Sequence, residues 1–114
     1  MLTIYHNPRC SKSRQTLSLI EATSTQHEVV LYLQTPLDSA SLTELKKQLG
    51  VDSFIDMMRI QEQEFASAGL SVHSSESELL VGLTQFPKLL ERPIVSNGQT
   101  AIIGRPPENV HHLL

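Results

Sequence analysis

The strongest constraint on how this chain folds is a change of hydrophobic period near its start. Leu2 and Ile4 alternate with Thr3 and Tyr5, the two-residue period of a strand, and Pro8 closes that run. From Ser11 the period lengthens. Thr16, Leu17 and Ile20 share one face of a helix predicted to run to about residue 23, with Gln15 and Glu21 elsewhere. Residues 27–33, HEVVLYL, are rich in branched side chains and read as a second strand. Strand, helix and strand in succession make a crossover long enough for a parallel pair, which points to an α/β fold.

The middle of the chain reads as helical. Ser41 with Glu44 forms a capping box ahead of Leu45 and Leu49, with Gly50 as the stop, and Ser75 with Glu78 repeats the device ahead of Leu79, Leu80 and Leu83. Between them, FIDMMRIQEQEFASAGL offers Ile55, Met58 and Phe65 as apolar positions of two short helices. ERPIVSNGQTAIIG reads as a hairpin, with Ile94 and Val95 in one strand, Ala101 to Ile103 in the other, and Asn97-Gly98 as a turn favouring positive φ. Pro106 and Pro107 end it, and Val110, Leu113 and Leu114 form the inner face of a last short helix. No repeat or linker divides the chain. The expectation is one domain over residues 1–114, with the helical stretch at roughly residues 39–86 falling between the second and third strands.

At 114 residues the chain is long enough to bury a core without disulfide or metal staples. Its net charge of -3 argues against broad binding to nucleic acid, which needs a basic face. No stretch reaches the roughly 18 apolar residues of a membrane span, and charge and proline interrupt residues 1–12, so neither a membrane segment nor a signal peptide is expected. A cytoplasmic location follows as an expectation. Cys10 is the only cysteine, so no intrachain disulfide can form.

Cys10 falls at the first turn of the predicted helix, with Arg9, Lys12 and Arg14 close by in sequence. A thiol reacts as thiolate, and its pKa of about 8.5 drops at helix N-termini and beside cations. Free amides and the helix dipole favour negative charge there, and Ser11 and Ser13 can add hydroxyl donors. The alternative is an inert cysteine buried in a strand-to-helix turn. A phosphatase-type loop does not fit, because Arg14 follows Cys10 after three residues and Thr16 holds the position where that motif needs arginine. A dithiol motif fails as well, since Ser13 stands at the second cysteine position of C-x-x-C. Any disulfide must therefore involve another molecule. Metal binding has little support, with one thiol and with His111 and His112 adjacent rather than helically spaced.

The hairpin brings the ends of RPIVSNGQTAIIGR together, and with them Arg92 and Arg105. Two guanidiniums side by side repel unless an anion lies between them, which suggests a fork for a tetrahedral oxyanion. Each can instead be a surface arginine paired with Glu91 or Glu108. His6, four residues before Cys10, can take the thiol proton, stabilise the thiolate, or point to solvent.

IYHNPRCSKSR, MMRIQEQEFASAGL and ERPIV followed by GRPPE, in this order and at these separations, resemble the glutaredoxin-linked, ArsC-type arsenate reductase family of the thioredoxin-like fold. The resemblance covers essentially the whole chain. It implies a thioredoxin-like mixed sheet flanked by helices, with the stretch at roughly residues 39–86 as a helical insertion between the second and third strands and a cis peptide at Arg92-Pro93. It implies Cys10 as nucleophile assisted by His6, and Arg59, Arg92 and Arg105 as anion-binding residues. The implied reaction is reduction of arsenate through a thioarsenate on Cys10, resolved by glutathione and glutaredoxin, with no bound cofactor or metal. Spx-type regulators, which share the fold and bind RNA polymerase, are the alternative; they usually carry C-x-x-C where this chain has Cys10-Ser11-Lys12-Ser13.

Overall fold

Alternation in the first strand decides which side of the sheet carries the core. The computed structural model describes residues 1–114 and divides into two compact units, Met1–Thr35 with Arg92–Leu114, and Pro36–Glu91. The first unit holds the whole sheet: β1 (Leu2–Tyr5), β2 (His27–Val30), β3 (Ile94–Ser96) and β4 (Ala101–Ile103), in the order β2-β1-β3-β4. β1 and β2 are parallel, joined through α1 (Ser11–Ala22), and the remaining pairs are antiparallel. Leu2 and Ile4 point to one face, the register sets Ile4 opposite Val95, and these three pack with Ile20 of α1 and Val110. Each such fully buried branched side chain contributes about 1.5–3 kcal/mol. This is the mixed α/β sheet expected from the sequence.

One consequence of this topology positions everything that follows. The C-terminal ends of β1, β2 and β4 and the N-terminal end of β3 lie at the same edge of the sheet. The loops leaving that edge carry His6 to Cys10, Leu31 to Gln34, Arg92-Pro93 and Gly104-Arg105.

Several expectations need correction. The second strand stops at Val30 rather than Leu33, because the Leu31 carbonyl accepts from the amides of Gln34 and Thr35 and turns the chain. Tyr32, inside that turn, is nevertheless buried. The hairpin loop spans four residues, with Asn97 N–H bonded to the Thr100 carbonyl, and only Gly98 takes a positive φ, 95°. Asn97 instead works through its side chain, whose Oδ1 accepts from Gln99 and Thr100. The last helix is a 3-10 helix, Pro107–Leu113; Val110 and Leu113 face the core as expected, but Leu114 is exposed.

The second unit contains α2 (Ser39–Leu49), a 3-10 helix at Phe54–Met57, α3 (Gln63–Ser67), α4 (Glu76–Gln85) and a 3-10 turn at Pro87–Leu89. The two short helices expected between α2 and α4 are the Phe54–Met57 and Gln63–Ser67 segments. Phe54, Met57 and Phe65 are buried in them and Ile55 is only partly covered; Met58, expected inside a helix, is buried just past the first one in extended backbone that bridges to Leu90. α2 begins earlier than expected: Asp38 is its cap, with Oδ1 accepting the Ser41 amide at 2.8 Å, so Ser41 sits inside the first turn. Gly50 ends α2 with φ 72°, and the Ser75/Glu78 capping box opens α4, both as expected. Glu76 ties three elements together, accepting from Lys46 at 3.1 Å, the Phe54 amide at 2.9 Å and the Ser53 hydroxyl at 2.6 Å. No helix is long and apolar enough to cross a membrane.

Candidate active site at the end of the sheet

The chain leaving β1 cannot continue as a strand past Pro8, and the next four residues fold into a turn held by its own side chains. Asn7 does most of this. Its Oδ1 accepts the Arg9 amide at 3.0 Å, and its carbonyl accepts the Cys10 amide at 3.0 Å. Its own amide donates to Ser13 Oγ at 3.0 Å. Cys10 thereby becomes the N-cap of α1, in extended conformation at φ -93° and ψ 122°.

An N-cap side chain faces the unsatisfied amides of the first turn. Here that side chain is a thiol. Burial pushes the Cys10 thiol up, but four effects outweigh it: the Ser13 backbone N–H, a hydrogen bond from Arg92, the Lys12 backbone N–H and the Arg92 charge. The net result lies below the ordinary thiol value. Arg105 adds a second guanidinium, with Nη2 3.5 Å from Cys10 Sγ. Cys10 is buried, with 8% of its surface exposed.

The arginines reach the sulfur because of how the hairpin closes. Ile94 pairs with Ile103, Gly104 N–H donates to the Pro93 carbonyl at 2.9 Å, and Arg92 and Arg105 lie one position further out. Arg105 Nε then donates to the Arg92 carbonyl at 2.8 Å, which fixes the second guanidinium relative to the first residue. Both Arg92-Pro93 and Arg105-Pro106 are cis; the first was expected from the resemblance and the second was not. Asn109 holds the backbone beneath, donating to the Ile103 and Arg105 carbonyls at 3.2 and 3.1 Å.

The remaining sequence candidates fall as follows. His6 is buried, and its Nδ1 lies 2.6 Å from Ser13 Oγ. Burial and the Arg14 charge lower its pKa, against a smaller opposing effect of Glu21, so the neutral ring is favoured. Its link to Cys10 is indirect, through Ser13 and Asn7. Ser13 is fully buried, and it serves the sulfur with its backbone amide while its hydroxyl faces His6 and Asn7. Ser11 is exposed at the first position of α1. Arg59 belongs to the second unit, where Nε pairs with Glu62 at 3.0 Å and its amide donates to the Leu89 carbonyl.

Sequence reasoning missed Asn7, Asn109 and the Thr16/Gly104 contact. A Cβ on Gly104 would lie 2.6 Å from Thr16 Oγ1 and 2.8 Å from Pro93 Cγ, so only glycine lets the end of β4 approach α1 this closely. An Asn-Pro sequence after a strand is a turn signal that points to Asn7; the other two depend on tertiary contacts.

A mixed sheet with a lone thiol stabilised as its anion at a helix N-cap and two arginines beside it defines a thioredoxin-like thiol protein. The chain belongs to the ArsC family, whose model matches residues 5–113. It is 44% identical over 112 residues to the arsenate reductase of Haemophilus influenzae, covering 97% of each chain. It is 50% identical over 108 residues to YfgD of Escherichia coli K12, covering 94% of this chain and 91% of that protein. Among solved structures, the arsenate reductase from Vibrio cholerae superposes with a TM-score of 0.93 at 42% identity, covering 99% of this chain and 97% of that one.

Proposed function

We propose that this chain is an arsenate reductase whose nucleophile is the Cys10 thiolate and whose electrons come from glutathione and glutaredoxin. The observation that carries the reading is a thiol held below its ordinary pKa with the Arg92 and Arg105 guanidiniums beside it. Relatives named arsenate reductase that match nearly end to end support the choice of oxyanion.

In the first step the thiolate attacks arsenic(V). An S–As bond forms, one As–O bond breaks, and that oxygen leaves as water after taking up protons. Negative charge shifts among the arsenic oxygens as this happens, and donors already fixed in place stabilise it without reorganising. Arg92, Arg105 and the amides of Lys12 and Ser13 are such donors. Glutathione thiolate then attacks the Cys10 sulfur. The S–As electron pair passes to arsenic, arsenite departs as arsenic(III), and a Cys10–glutathione disulfide remains. A glutaredoxin thiolate takes the glutathione and releases Cys10. Two thiols are oxidised and arsenic gains two electrons. The single cysteine supports an outside donor, since the chain has no second thiol to resolve the adduct.

In this reading His6 positions the loop through Ser13 rather than touching substrate. Arg59 enters on the resemblance, and Arg59→Ala tests it: a raised KM for arsenate keeps its place, whereas unchanged kinetics removes it. The test of the whole reading is arsenate-dependent NADPH oxidation coupled through glutathione, glutaredoxin and glutathione reductase. Cys10→Ser should abolish turnover with the fold intact, and retained turnover would sink the mechanism.

A further inference from the structure

We propose that Asn109, in the 3-10 helix Pro107–Leu113, is a positioning residue for the site: its side-chain amide fixes the backbone of Arg105 and so keeps that guanidinium at the Cys10 sulfur. The proposal rests on the reading above only for the identity of the anion that the guanidinium meets.

Arg105 is exposed, so packing does little to hold its long and flexible side chain. The guanidinium nevertheless makes two aimed contacts, from Nε to the Arg92 carbonyl at 2.8 Å and from Nη2 to Cys10 Sγ at 3.5 Å. Both depend on where the Arg105 backbone sits, because a small rotation there is magnified at the far end of the side chain. Toward β4 that backbone is anchored: Gly104 N–H donates to the Pro93 carbonyl and Arg105 N–H to the Ile103 carbonyl, each at 2.9 Å. In the other direction the chain runs into Pro106 and Pro107, which have no N–H to donate. Asn109 supplies a donor from the side. Its Nδ2 donates to the Arg105 carbonyl at 3.1 Å and to the Ile103 carbonyl at 3.2 Å.

The residue type fits the task. Two carbonyls face one atom, and among side chains of this size a primary amide is what places two N–H groups on one nitrogen. Serine would serve one of the two carbonyls, and aspartate, of the same shape, would set an oxygen against both. The amide is also carried on a fixed base. The Asn109 backbone N–H donates to the Pro106 carbonyl at 3.0 Å, and the next residue, Val110, is fully buried with Leu2, Ile4, Ile20 and Val95. The core beside the sheet thus reaches the sulfur through Val110, Asn109 and Arg105 in turn.

The test compares two alkylating reagents on the full chain, neutral iodoacetamide and anionic iodoacetate. In both reactions the Cys10 sulfur displaces iodide, so the ratio of their rates reads positive charge at the sulfur and cancels any change in the thiolate fraction. Arg105→Ala should lower the iodoacetate-to-iodoacetamide ratio by about fivefold, the effect of one unit charge about 4 Å away in water. Asn109→Ala should lower it by about twofold, as when that charge withdraws to about twice the distance. Asn109→Leu, which fills the space but has no N–H to give, should do the same, and it replaces Asn109→Ala should the smaller residue unfold the chain. In an Arg105→Ala background neither change at Asn109 should lower the ratio further. A wild-type ratio in Arg105→Ala or in the Asn109 variants, or an equal loss with Arg105 absent, would overturn the assignment. No arsenate enters this measurement, so the expected ratios together with absent arsenate turnover would reject the reductase reading and leave the role of Asn109 standing.

Discussion

Replacing Gly104 by alanine sets a methyl group 2.6 Å from Thr16 Oγ1 and 2.8 Å from Pro93 Cγ. Neither neighbour yields easily. Thr16 is fully buried in α1, with its hydroxyl bonded to the Lys12 carbonyl at 2.8 Å, and Pro93 is a buried ring. Overpacking of this kind costs about 1–3 kcal/mol, which for a chain of this size corresponds to a fall in Tm of about 4–12 °C. The displacement also reaches the thiol, because the next residue is Arg105, whose guanidinium bonds the Arg92 carbonyl and approaches Cys10 Sγ. Thermal unfolding by circular dichroism reads the first effect, and iodoacetamide alkylation rates across pH read the second, as an upward shift of the Cys10 pKa. In a Thr16→Ala background the substitution should cost measurably less, since one of the two contacts is gone. A Tm unchanged to within a degree, with an unchanged alkylation profile, would refute the claim that this close approach positions Arg105.

Arg105→Ala should raise the Cys10 pKa and weaken arsenate use by about three- to tenfold, below the charge-assisted range of about 1.5–3 kcal/mol because this arginine is partly solvated; identical alkylation profiles would contradict it. His6 makes stability pH-dependent: its folded pKa lies below the ordinary 6.5, so between those values the unfolded chain binds a proton that the folded one refuses. Stability is thus at its full value above about pH 6.5 and falls on acidification, and urea midpoints from about pH 7.5 down to about pH 5 should show a slope that His6→Asn reduces. An equal slope in the variant would exclude His6 as its source. Glu76→Ala removes the acceptor shared by Lys46, Ser53 and Phe54, and should cost about 1 kcal/mol in urea unfolding, discounted for the exposure of this carboxylate.

Local signals in the sequence were read well where one interaction dominates. The β1-α1-β2 crossover, the Gly50 stop and the Ser75/Glu78 box each follow from period or capping chemistry within a few residues. Competition between equivalent local signals explains the errors. Asp38 and Ser41 both suit a cap, and the structure uses the carboxylate that reaches the Ser41 amide. The apolar run of residues 27–33 gives no sign that the backbone turns at Leu31, because Tyr32 is as buried in the turn as an inward-facing strand residue would be. At the site, the place of Cys10 at the helix start and the closeness of Arg92 to Arg105 were legible from helix position and hairpin closure. The bond between His6 and Ser13 was not, since it joins residues on either side of a turn whose path depends on Asn7. Gly104 and Asn109 were equally silent, because their importance lies in what they approach in space.

The buried orientation of the Ser13 hydroxyl bears on how this scaffold can evolve. One nucleotide change makes serine a cysteine, and position 13 is where a second thiol would make Cys10 half of a C-x-x-C pair. In this chain that side chain is fully buried and faces His6 and the Asn7 amide, while only the residue's backbone faces the sulfur. A cysteine in that orientation would inherit the hydroxyl's neighbours and break the bonds that shape the loop. Acquiring an internal disulfide therefore takes more than this one substitution, because the side chain at position 13 must also turn from His6 and the Asn7 amide toward Cys10.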